Sequence, residues 1–188
     1  MKIALRGLAL ATIVSVSSLA GVAISADNPM VGGAPMYQTK NIIENAVNSK
    51  DHTTLVAAVK AAGLVDTLQG KGPFTVFAPT NAAFNKLPPG TVENLLRPEE
   101  KVTLTKVLTY HVVPGRYTSN QLREKIQEGH GQATLKTVEG GALTLMMNGS
   151  NNIVIKDGKG DVADIVVYDV AQSNGEIFSI DHVLMPSS

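Results

Sequence analysis

An α+β domain is predicted, because the hydrophobic period of the chain changes once and does not change back. Between Ile42 and Ile126, apart from the short apolar run Phe74 to Phe77, apolar residues recur at three- and four-residue spacing. From Ala133 onward they alternate every second residue between Gly-containing turns. Helices followed by strands, without regular alternation of the two, argue against a parallel βαβ sheet. A length of 188 residues, 44% of them apolar, suits one core and no repeat period appears.

Lys2 and Arg6 precede an uncharged apolar stretch from Leu8 to Ala23, with small residues at Ser25 and Ala26 before Asp27. Residues 1–26 are therefore expected to be a secretory signal peptide. Ala23 and Ser25 are other possible boundaries, and an uncleaved anchor is the alternative. Residues 27–37, with two Pro and two Gly, read as a flexible lead-in to a domain spanning residues 38–186. Ile42, Ile43, Ala46 and Val47 share one helical face. Asp51 is expected to cap a second helix carrying Leu55, Val59 and Ala62 and stopping at Gly63. Phe74 to Phe77 reads as a strand, and Pro79-Thr80-Asn81 as the capped entry to a helix from Ala82 to Leu87. Thr91 to Leu96 and the segment after Pro98 follow as helices. Leu104, Leu108 and His111 fall at i, i+4 and i+7 in the latter, which aims His111 at the core. Ser119 or Asn120 is the expected cap of one more helix ending near Ile126.

Leu143, Leu145 and Met147 begin the alternating part, followed by Ile153 to Lys156, Ala163 to Val170 and Glu176 to Leu184. Gly140-Gly141, Asn148-Gly149, Asp157-Gly158 and Asn174-Gly175 supply the turns of an antiparallel set.

Composition narrows the function. Lys plus Arg and Asp plus Glu are 16 each, so nothing favours nucleic acid or an anionic membrane surface as partner. Loss of residues 1–26 would leave 14 basic and 16 acidic residues, a charge of about −2. Cys is absent, which removes disulfides, thiolate metal sites and a Cys nucleophile, and fits an exported bacterial protein. The glycine pairs at Gly70 and Gly158 lack the remainder of a P-loop. His52, His111, His130 and His182 lack metal-ligand spacing, and Asp157, Asp161 and Asp164 read as a solvated loop in preference to a calcium loop because Lys159 takes a ligand position. No cofactor, metal or catalytic group is expected. Tyr110-His111 remains, with a buried imidazole as its first reading and a recognition residue as its second.

Three segments carry a resemblance. They are Phe74-Thr75-Val76-Phe77-Ala78-Pro79-Thr80-Asn81-Ala82-Ala83-Phe84, Tyr110-His111-Val112-Val113-Pro114-Gly115, and Asn174 through Pro186. In order and spacing the chain resembles the fasciclin-like domain family, and its single-domain exported bacterial members in particular. At Asn81 the family more often has Asp. The resemblance implies a wedge of antiparallel strands flanked by short helices, and a secreted, non-catalytic cell-adhesion or binding module whose partner is a protein or glycan of a cell surface or extracellular matrix. The expected signal segment and the absence of Cys place the module in the periplasm or outside the cell, and the resemblance marks Tyr110 and His111 as candidate partner-binding residues. The alternative function is a periplasmic carrier or sensor of a small apolar ligand, with Met146, Met147 and Met185 lining the pocket.

Overall fold

Alternating strands in the second half of the chain build the sheet on which the helices are placed. The computed structural model describes residues 28–187, so the expected signal segment lies outside the described residues. The chain enters as a small hairpin, β1 (Met30–Val31) and β2 (Ala34–Pro35). The expected flexible lead-in is thus corrected over these residues. Val31 and Met36 are only 6% and 2% exposed, and the Lys50 amide donates to the Gly32 carbonyl at 3.1 Å. Burial of two large apolar side chains at about 1.5–3 kcal/mol each opposes the freedom that the Gly and Pro content suggests.

Next come α1 (Ile42–Ala46), α2 (Thr53–Ala62), α3 (Val65–Gln69), β3 (Phe74–Pro79), α4 (Asn81–Asn85), α5 (Thr91–Leu95) and α6 (Lys101–Tyr110). The remainder is β4 (Val112–Pro114), α7 (Ser119–Glu128), β5 (Gln132–Lys136), β6 (Ala142–Asn148), β7 (Asn152–Lys156), β8 (Val162–Gln172) and β9 (Gly175–Ile180). The main sheet has the order β4-β3-β9-β8-β7-β6-β5. Its pairs are antiparallel as expected except β3 with β9, which run parallel. Parallel neighbours require a long crossover, and here α4 through β8 supply it. The sheet curls until its ends meet, with the Val138 amide donating to the Val112 carbonyl at 2.8 Å.

Two cores follow from the curl. Inside it lie Phe77, Leu143, Leu145, Ile153, Ile155, Phe178 and Ile180, closed over by Leu122 and Ile126 of α7. On the outer face, Val76, Val112, Val170 and Ile177 pack under α1, α2 and α6. Phe77 and Phe178 stack at 5.8 Å between centroids at the centre of the inner core.

Capping differs from expectation at α2 and α7. Asp51 does not cap α2; Asn81 does so from 27 residues away, its Oδ1 accepting the Thr54 amide at 3.0 Å while its Nδ2 donates to the Lys50 carbonyl at 2.9 Å. Thr80, not Asn81, caps α4. Thr118, not Ser119 or Asn120, caps α7, and with Gln121 it forms a reciprocal capping box.

Candidate functional site

The three signature segments become β3 with α4, the end of α6 with β4, and β9 with the tail that follows it. β4, β3 and β9 are adjacent strands, so segments far apart in sequence form one block. Tyr110 and His111 lie at its edge, 1% and 2% exposed. The Tyr110 hydroxyl donates to the Ala142 carbonyl at 2.7 Å, and its ring lies where a Cβ on Gly141 would sit 2.8 Å from Cε2. Gly141 is therefore required by close approach. Burial pushes the Tyr110 phenol upward from its ordinary value.

The His111 ring has both nitrogens engaged with backbone. Nε2 accepts the Leu184 amide at 2.9 Å, which leaves Nδ1 as the protonated nitrogen donating to the Val107 carbonyl at 2.8 Å. Burial lowers its pKa to about 4, outweighing the backbone bond at Val107 and the charge of Asp157. The neutral ring thus ties α6 to the C-terminal tail. These two side chains present no free polar edge to an external partner.

Asp157 completes the tie, and the solvated-loop expectation is corrected for it. Its side chain is buried; Oδ1 accepts the Lys159 and Asp161 amides, both at 2.9 Å, and Oδ2 accepts the Met185 amide at 2.8 Å. Two consecutive tail amides, Leu184 and Met185, therefore end on His111 and Asp157. Among the described residues no group of three or more His, Asp or Glu could hold a metal.

Other polar groups were not singled out by sequence. His52 joins Ser49 Oγ at 2.9 Å and Ser179 Oγ at 3.2 Å, and burial lowers its pKa. Glu176, buried on β9, is pushed up to about 7 by burial and by Asp169, against the pull of Arg116. Burial alone would raise Asp181, but bonds from Lys86, His182 and the Asp164 amide hold it at about 2.

Two concavities stand out among the described residues. A polar groove is lined by Arg116, Tyr117, Gln121, Glu124, Lys125 and Glu128, two cations and two anions. An apolar crevice runs between α1, α2, α3 and the outer face of the sheet. Met146, Met147 and Met185 do not line it, which corrects the pocket expected there. Met147, half-buried on β6, packs against the inner core, Met146 is half-buried beside it, and Met185 packs at the edge of the outer core.

A family model, the Fasciclin domain, matches residues 50–186. The chain belongs to the fasciclin-domain family, whose members are cell-adhesion-related modules. It is 46% identical to Protein sll1483 of Synechocystis sp. over 84% of this chain and 79% of that one. Immunogenic protein MPB70 of Mycobacterium bovis is 38% identical over 75% of this chain and 66% of its own. Cell surface glycolipoprotein MPB83 of the same species is 33% identical over 86% and 68%. The FAS1 domain pair of the insect cell adhesion molecule fasciclin I shares the fold, with a TM-score of 0.69 at 20% identity. That match covers 78% of this chain and 51% of the pair.

Proposed function

We propose that this protein is an exported, non-catalytic binding module that engages a protein or glycan of a cell surface or matrix. Family membership carries the reading, and it is supported by a relative named as a cell surface glycolipoprotein. Among the described residues no helix is long and apolar enough to cross a membrane. Residues 1–26 act as the export signal, and the module works in the periplasm or outside a bacterial cell. Tyr110 and His111 serve the module as internal ties, so the partner meets its outer surface. The polar groove beside α7 suits that contact, because its two cations and two anions offer paired donors and acceptors around the half-buried Tyr117 ring, over which Lys125 Nζ lies.

Retention of the purified protein on immobilised cell envelope and on separate matrix components tests the reading. Saturable retention that is lost in a Glu124→Ala, Lys125→Ala, Glu128→Ala variant of unchanged melting temperature is expected. Retention on neither surface would contradict it.

A further inference from the structure

The outer face of the sheet carries a row of branched apolar side chains directly across its strands. Register places Val112 opposite Val76, Val76 opposite Ile177, and Ile177 opposite Val170. Val138, hydrogen-bonded to Val112, extends the row by one step and is 43% exposed. At about 4.8 Å per strand the row is ~19 Å long. It forms the floor of the apolar crevice, roofed by Ile42, Ile43, Leu55, Val59, Leu64 and Leu68. The N-terminal hairpin closes one wall through Val31 and Met36.

Shape and chemistry select the occupant. The centre of a water molecule can move through about 70 Å³ of this crevice. Spread evenly along the ~19 Å row and widened by the ~1.4 Å radius of water, that volume would make a tube of about 5 Å bore. One polymethylene chain fits such a tube; a second chain or a fused ring system does not. Polar groups along it are already engaged, Ser49 and Ser179 with His52, and His111 with Val107 and Leu184. Among the described residues no buried side-chain nitrogen or oxygen lacks a hydrogen-bond partner. Among the described residues the only formal charge along the lining is that of Lys60, on an exposed position. A polar ligand would therefore lose its hydration without replacement, whereas a hydrocarbon loses nothing.

We infer that this crevice binds a single aliphatic chain, entering past Val138, with its polar head left in solvent. The site is independent of the surface contact proposed above. Floor and roof supply hydrocarbon on all sides, and the open end at Val138 gives access without unfolding the sheet.

Calorimetric titration of the purified chain with saturated fatty-acid anions from hexanoate to tetradecanoate, and with dodecyl lysophosphatidylcholine, tests this below the micelle concentration. Affinity is expected to rise about fourfold per methylene and then level off when the tube is full. Val138→Trp at the mouth should weaken dodecanoate at least about tenfold with its own melting temperature unchanged. Val170→Phe at the far end should move the plateau to shorter chains. Binding of dodecanoate alone identifies the free acid as the source, and binding of both probes identifies the chain irrespective of head; either supports the site. Absence of saturable binding, an affinity that climbs without a plateau, or one indifferent to Val138→Trp would overturn it.

Discussion

His111 and Glu176 respond to pH with opposite signs, because burial disfavours the charged form of each and the charged forms lie on opposite sides of titration. His111 has a folded pKa of about 4 against an ordinary 6.5, so between those values the unfolded chain binds more protons. Its contribution is complete above pH ~6.5 and falls away as pH drops toward ~4, by an amount of order 3 kcal/mol. His52, also lowered, adds in the same direction. Glu176 is raised from 4.5 to about 7, so its contribution is complete below pH ~4.5 and is lost as pH rises through ~7. Glu176→Gln should therefore raise the urea midpoint at about pH 8 and leave it unchanged near pH 5. A lower midpoint at the higher pH would mean that attraction to Arg116 outweighs the burial of the charge.

At the scale of elements, Asn81 joins two helices and a turn through one amide group. Its oxygen satisfies an N-terminal amide of α2 and its nitrogen satisfies the Lys50 carbonyl, while its backbone begins α4. Asn81→Ala should cost about 1–2 kcal/mol, the usual range for a lost cap. Asn81→Asp keeps the acceptor and adds a favourable charge at two helix starts, but turns a carboxylate oxygen toward the Lys50 carbonyl. Its midpoint should lie between those of wild type and the Ala variant, and chemical denaturation of the three proteins orders them. This bridge was not legible in sequence, since the side chain caps a helix that precedes it by 27 residues. The orientation of His111 was legible, because i, i+4 and i+7 spacing with Leu104 and Leu108 depends only on the helix. Thr118 was legible too, as the first residue of a Thr-x-x-Gln box, yet the neighbouring Ser119 and Asn120 offer the same chemistry one and two positions on. The buried state of Asp157 was hidden because its partner Met185 lies 28 residues away.

At the scale of the molecule, the signature segments account for the fold more directly than for recognition. β4, β3 and β9 stand side by side, and the tail after β9 returns to His111 and Asp157, so the most recognisable residues are mutual partners. The N-terminal hairpin shows how tertiary context overrides composition. Its Gly and Pro permit the turn, but Val31 and Met36 fill space that only the finished helical layer creates. Among the described residues no side-chain cluster could hold a metal, so EDTA should leave the melting temperature unchanged. A fall of several degrees restored by calcium would point to the Asp157 loop.

Tyr110-His111 holds the domain together from inside. Urea unfolding of wild type and His111→Ala at about pH 7.5 and pH 5 tests it most directly. The variant should be less stable by about 1–3 kcal/mol at the higher pH, from the orphaned Leu184 amide and the cavity left behind, with the gap narrowing at the lower pH. Equal midpoints at pH ~7.5, together with loss of partner retention in the variant, would contradict it.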